Sequence, residues 1–296
     1  MIGKPDKIKT IMCRFIAYQG CPEVMGPILF EPENSIIKQS YAATEIEEPL
    51  NGDGFGVGWY APGISPLPGV FVSISPAWNN RNLRYISQKI KSNCMVAHVR
   101  AASVGAVSES NCHPFHYGRY LMMHNGGVEH FDRIKRSIVD RLSPEMYAWV
   151  QGQTDSEHFF ALFLDKLMKH SANPSTEEIA HCLELAFADI LGLMKGGGIT
   201  DPAYFNLVVT DGKKMVGCRY VTHKDVQALS LHHSESGKFV CENGAVSLVK
   251  DNARERGVMI ASERLTNEPN DWKMVPEHHF VLVEENLKVR FRVIGV

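Results

Sequence analysis

Helix-period sequence fills residues 129–192 and is flanked on both sides by short apolar strands, an order that restricts the fold more than any other feature of this chain. The helical periodicity is clearest in DSEHFFALFLDKLMKH and TEEIAHCLELAFADILGLM, where apolar residues recur on one helical face. Upstream, strands are predicted over 13–18, at PILF, at FGVGWY, at VFVSI, over 94–100 and at RYLMMHNG. Between them fall an amphipathic turn around SIIKQSYA, a hairpin-like loop over 62–69 and one helix through LRYISQKI. Downstream, YFNLVVTDG, KMVGCRYV, KFVCE, GVMIASE, HHFVLVEEN and LKVRFRV read as strands, with turn chemistry such as Asp211-Gly212 between them. Strands, then helices, then strands predict an α+β layered fold in which two sheets face each other and the helices lie outside. No shift of composition divides the chain, so a single domain is expected.

The charge balance excludes several functions. Lysine plus arginine number 31 against 33 acidic residues, a net charge of -2, so the chain projects no field that gathers nucleic acid or anionic lipid. Small molecules or other proteins are the expected partners, with neither nucleic acid nor a membrane among them. The 7 cysteines are scattered without a C-x-x-C pair, which predicts no disulfide framework. The start carries lysines but no apolar signal core, and no apolar run approaches the ~18 residues needed to cross a bilayer. A cytoplasmic setting, where thiols stay reduced, is expected.

In NGDGFGVGWY, Gly54, Gly56 and Gly58 alternate with Phe55, Val57 and Trp59. Such a strand has one face without side chains, so another backbone or a ligand can approach it. It lacks the strand-then-helix context of a dinucleotide fingerprint.

Four further segments are weak singly. HVRAASVG at 98–105 ends an apolar strand, NCHPF at 111–115 reads as a loop, and HNGG at 124–127 as a turn. TDSE at 154–157 fits a capping box, Thr154 at the N-cap and Glu157 three residues on. Cys13, on pattern alone, is a small buried thiol at the head of a strand. In chain order they form a set: Cys13 after Met12, the glycine strand, His98-Val99-Arg100, Asn111-x-His113-Pro114, His124-Asn125-Gly126 and Asp155-x-Glu157. That set resembles the class II glutamine amidotransferases, which are N-terminal-nucleophile hydrolases. The resemblance spans roughly 12–265, and NGDGFGVGW together with Ala261-Ser262-Glu263-Arg264-Leu265 is similar to the single-domain, γ-glutamyl amidohydrolase branch.

The resemblance implies a four-layer αββα sandwich of two antiparallel sheets and an amidohydrolase cleaving the γ-glutamyl amide of glutamine or a related compound. Cys13 would be the nucleophile once it is the mature amino terminus, with its own α-amine as base. Asn125 and the backbone N–H of Gly126 would form the oxyanion hole. Arg100 would hold the substrate's α-carboxylate and Asp155 its α-ammonium. The product of attack would be a γ-glutamyl thioester that water hydrolyses to glutamate. No cofactor and no metal are expected.

Residues 1–12 depart from this pattern, because an acylated α-nitrogen is no base. Met12 as the true start, a propeptide, or residues foreign to the native start each account for them, and a small residue after Met12 favours the first. The amidotransferase-like region is expected to fill residues 13–296, with no synthase domain among them to consume ammonia. A partner subunit is therefore one expectation, with this chain as its glutaminase. A non-catalytic γ-glutamyl-binding or regulatory relative is another. A papain-like pairing of Cys13 or Cys112 with His98, His113 or His124 is the enzymatic rival. Metal binding at His232-His233 or His278-His279 is disfavoured, since neighbours in a strand point to opposite faces.

Overall fold

The computed structural model describes residues 13–45, 49–234, 238–242, 245–249, 256–268 and 270–296. The expected leader, 1–12, lies outside them. In chain order the first half comprises β1 (Arg14–Val24), α1 (Met25–Phe30), α2 (Ile36–Ala42), β2 (Phe55–Ala61), β3 (Ser65–Ser73), α3 (Arg81–Ser87), β4 (Lys91–Val99), β5 (Phe115–Tyr117) and β6 (Tyr120–Gly127). The helical block comprises α4 (Phe131–Val139), α5 (Pro144–Trp149), α6 (Asp155–His170) and α7 (Thr176–Gly196). After it come β7 (Tyr204–Thr210), β8 (Met215–Val221), β9 (His232–Ser234), β10 (Lys238–Glu242), β11 (Ala245–Val249), β12 (Gly257–Ala261), β13 (Trp272–Met274), β14 (His279–Val283) and β15 (Val289–Val293).

The strands form a seven-stranded sheet, β13-β9-β12-β1-β4-β2-β3, a six-stranded sheet, β15-β14-β8-β7-β6-β5, and the hairpin β10-β11. Every pairing among the described strands is antiparallel. Side-chain alternation builds the layers. Along β1, Phe15 and Ala17 enter a core with Val96, Met123, Val208 and Ile260, which lies between the two sheets. Ile16 and Tyr18, on the other face, pack with Met25, Ile28 and Ile36 of α1 and α2. The outer face of the six-stranded sheet, with Phe205, Leu207 and Val209, is covered by Phe159, Phe163 and Leu183 from α6 and α7. Helices, sheet, sheet and helices therefore stack in the expected αββα order. No helix among the described residues is long and apolar enough to cross a membrane.

Some local expectations are corrected. PILF belongs to the helix α1, because Met25, Ile28 and Leu29 are buried at helical spacing and Pro27 in the first turn has no N–H to satisfy. The turn around SIIKQSYA is the helix α2, with Ser35 Oγ accepting from Lys38 N at its start. The loop at 62–69 is already strand from Ser65. The short strands β5, β9 and β13 carry too few residues for alternation to show.

The bare face of β2 receives protein backbone. A Cβ on Gly56 would overlap His113 O, far closer than van der Waals contact allows, and one on Gly58 would meet Leu121 Cδ1 at 2.7 Å. The segment carrying His113 is thereby seated on the inner face of the sheet. Gly56→Ala is expected to destabilise the fold by about 1–3 kcal/mol through forced displacement of that segment. A denaturant midpoint equal to the parent's would contradict the close approach.

Candidate active site

Cys13 immediately precedes β1, which lies inside the seven-stranded sheet between β4 and β12. The register pair Arg14 with Val99 brings Cys13 and Arg100 to the same end of the two strands. Cys13 is half-buried, and its Sγ donates to Ala101 O at 3.5 Å. Burial pushes the thiol up from its ordinary value; the charges of Arg100 and Arg14 pull it down and that of Asp155 adds to the rise.

Arg100 follows β4 and is anchored through its backbone N–H, which donates to Gly54 O at 2.8 Å. Its buried guanidinium donates from Nη2 to Val104 O at 2.9 Å and from Nη1 to Ala106 O at 3.1 Å. Two of its roughly five N–H donors are thus used in shaping its own loop.

The far end of β6 carries Asn125 and Gly126. Asn125 is fully buried, and neither its Oδ1 nor its Nδ2 has a hydrogen-bond partner among the described residues. Leaving a buried amide unpaired costs about 1–3 kcal/mol. Gly126 runs against β7 so closely that a Cβ would overlap Tyr204 O and come within 2.7 Å of His124 Nε2. Only glycine lets the two strands approach there.

Asp155 is the first residue of α6 and is buried. Its Oδ2 accepts from Val128 N at 2.8 Å and its Oδ1 from Ser156 N at 2.8 Å, which ties the helix start to the end of β6. Thr154 Oγ1 caps the helix by accepting from Glu157 N at 3.2 Å. The capping box is only half made. Glu157 turns instead to Gln151 N at 3.0 Å and Gly152 N at 2.6 Å, pinning the preceding loop.

Beside these residues lies a cavity of about 640 Å³, whose wall includes Val104, Gly105, Gly126, Gly127, Lys135 and Tyr204. That volume falls in the range of about 300–1,000 Å³ common for small-molecule sites. Of the sequence-predicted residues only Gly126 is in this wall. Arg100 donates to the wall residue Val104 and Asp155 accepts from the wall residue Val128, while Cys13 and Asn125 are not part of the wall.

The histidines considered as a rival base form a buried cluster. His98 and His113 have ring centroids 4.2 Å apart, His98 Nε2 lies 3.2 Å from His124 O, and His124 Nδ1 lies 2.8 Å from Ser156 Oγ. Burial pulls His98 down to about 3 and holds His113 and His124 below their usual range as well. The Cys112 thiol donates to Ser108 O at 3.4 Å, and burial pushes it up to about 11. The recorded thiol bonds of Cys13 and Cys112 go to backbone carbonyls, not to imidazoles.

Sequence reasoning gave no role to Arg14, Ser156, Ser262 or Glu263, which the structure brings to this end of the sheets. The familiar run Ala261–Leu265 was the one available signal.

The model of the family Glutamine amidotransferases class-II matches residues 36–291, a span that begins after Cys13. A yeast protein of Saccharomyces cerevisiae, named as probable glutamine amidotransferase DUG3, is 37% identical over 294 residues, covering 93% of this chain and 82% of its own length. The γ-glutamyl-hercynylcysteine sulfoxide hydrolase of Mycolicibacterium smegmatis is 23% identical, covering 93% of this chain and 96% of its own. Among solved structures, a glutamine aminotransferase class-II domain protein from Silicibacter pomeroyi superposes with a TM-score of 0.67 at 23% identity, over 96% of this chain and 100% of its own. The glutamine phosphoribosylpyrophosphate amidotransferase of B. subtilis superposes with a TM-score of 0.57 at 12% identity, over 96% of this chain but 50% of its own, and speaks for the fold alone.

Proposed function

The chain belongs to the class II glutamine amidotransferases, and from that premise we propose that it hydrolyses a γ-glutamyl amide with Cys13 as nucleophile. The observation that carries this reading is the unpartnered, fully buried amide of Asn125 beside the cavity-lining Gly126. A developing oxyanion is the partner such a donor lacks. An oxyanion-hole donor of this kind is typically worth about 3 kcal/mol or more in the transition state.

The steps follow from the chemistry of the residues. When Cys13 is the amino terminus, its thiol proton passes to its own α-amine; with reference values of ~8.5 and ~7.7–8.0 the exchange is nearly thermoneutral. Sγ attacks the γ-carbonyl carbon, and Asn125 Nδ2 and Gly126 N–H hold the resulting oxyanion. The α-ammonium returns its proton to the leaving amine as the C–N bond breaks, leaving a γ-glutamyl thioester. Water adds to that thioester, and the products are glutamate, the free amine and the restored thiol.

Recognition of the glutamyl end falls to opposite charges. The guanidinium donors of Arg100 not used on Val104 and Ala106 suit an α-carboxylate. The Asp155 carboxylate, with roughly four acceptor sites, has room for an α-ammonium beyond its bonds to Val128 and Ser156. The cavity beyond Gly126 would accommodate the leaving group, which is ammonia for glutamine and larger for γ-glutamyl compounds such as glutathione.

Intact-mass analysis of the protein expressed without a tag, with glutamine and glutathione assayed on the same sample, tests the proposal. Chains beginning at Cys13 that release glutamate are expected. A sample with free Cys13 that releases none from either compound excludes both as substrates, release undiminished by Cys13→Ala overturns the proposal, and full activity in a chain retaining residues 1–12 excludes the α-amine as base.

A further inference from the structure

Neither Arg14 nor the run Ala261–Leu265 is used by the steps above, yet the structure joins them at the nucleophile. Arg14 is buried, 2% exposed, and its fork is divided: Nη1 donates to Cys13 O at 2.8 Å and Nε to Glu263 Oε1 at 2.7 Å. Glu263 is fully buried and also accepts from Thr44 N at 3.0 Å, Thr44 Oγ1 at 2.9 Å and Glu45 N at 3.0 Å. One residue before it, Ser262 Oγ accepts from Phe15 N at 2.9 Å, and Ser262 N donates to Phe15 O at 3.1 Å. Consecutive residues of one segment thus grip consecutive residues behind Cys13.

A buried ion pair contributes little net stability, because desolvating both charges offsets their attraction, and apolar residues of similar volume often serve as well. Its contact with the main chain of Cys13 points to a different use. We infer that Arg14, clamped by Glu263, is a positioning residue for the nucleophile: it fixes the Cys13 carbonyl and keeps a permanent positive charge beside the thiol. The inference rests on the reading of Cys13 as the attacking group.

The charged and titratable groups acting on that thiol come from several elements. Arg14 lies on its own strand, Arg100 beyond β4 and Asp155 at the start of α6, and the Cys112 thiol is also within electrostatic reach. The two cations favour the thiolate and Asp155 opposes it. Removing one cation therefore makes the thiolate harder to form, whatever the state of the α-nitrogen.

Alkylation of Cys13 by iodoacetamide in the full chain of 296 residues, followed across pH by peptide mass mapping, reads that charge directly. Arg14→Gln is expected to raise the midpoint by about one pH unit, and Arg14→Lys to restore it. Superimposable profiles for the parent and Arg14→Gln, or no restoration by lysine, overturn the charge role. In protein whose mass shows Cys13 first, Glu263→Gln, which leaves the guanidinium but weakens its clamp, is expected to lower kcat for glutamate release about tenfold with KM changed less than about twofold. A parent-like kcat overturns the positioning role. Should Arg14→Gln fail to fold, Arg14→Lys carries the test: an ammonium cannot reproduce the divided fork, so kcat falls about tenfold while the midpoint stays. Continued glutamate release by Cys13→Ala would instead strike the reading of the nucleophile, with the alkylation profiles of Arg14 variants still interpretable.

Discussion

Cys13→Ala is expected to lower glutamate release from glutamine or glutathione by at least about 10⁴-fold, the scale seen when a covalent nucleophile is deleted and only binding and oxyanion stabilisation remain. The fold should survive, since the side chain's recorded hydrogen bond is a single long one to Ala101 O at 3.5 Å. Cys13→Ser is a sharper control. It keeps the size and the α-amine but replaces the thiol by a hydroxyl whose proton is far harder to remove, so its rate should approach that of alanine. Substrate binding should persist in both variants, because Arg100 and Asp155 are untouched. Steady-state kinetics on protein whose mass shows residue 13 first, alongside glutamate binding by calorimetry, checks each part. Activity within tenfold of the parent in Cys13→Ala would remove this residue from the chemistry and return attention to the histidine cluster.

Asn125→Ala is expected to lower kcat about 10²–10³-fold, the measured worth of one oxyanion donor, with KM changed only a few-fold. Its effect on stability should be unusually small. A buried amide with partners costs several kcal/mol to delete, but both polar atoms of Asn125 are without partners among the described residues. Truncation therefore removes a desolvation penalty while leaving a small cavity, and the two effects oppose each other. The melting midpoint is expected to move by less than about 4 °C, equivalent to about 1 kcal/mol for a domain of this size. A large loss of stability with kcat preserved would mean that Asn125 is a packing residue.

Much of the architecture was legible because it rests on local repeats. Alternation along CRFIAY sends Phe15 and Ala17 between the sheets and Ile16 and Tyr18 toward the helices, and the bare face of β2 announced a close approach. PILF misled because a four-residue apolar run fits a strand and a helix equally, and the spacing of Met25, Ile28 and Leu29 straddles its edge. TDSE was half right. Its Thr154 cap is local, whereas the second bond depended on whether Gln151 N or the cap offered Glu157 the better donor, which the path of the preceding loop decides.

The layered order of strands and helices, the family resemblance and the candidate residues Cys13, Arg100, Asn125, Gly126 and Asp155 can be read along the chain, because they depend on side-chain periodicity and short motifs. What surrounds those residues depends on how the chain packs in three dimensions. Arg14 and Glu263 are 249 residues apart and share one buried charge pair, Asn125 finds no partner among the described residues, and the Gly56 face takes in His113 backbone. Burial and polar pairing between distant segments arise from how sheets and loops pack. No spacing along the chain encodes which carbonyl, carboxylate or cavity a side chain will meet.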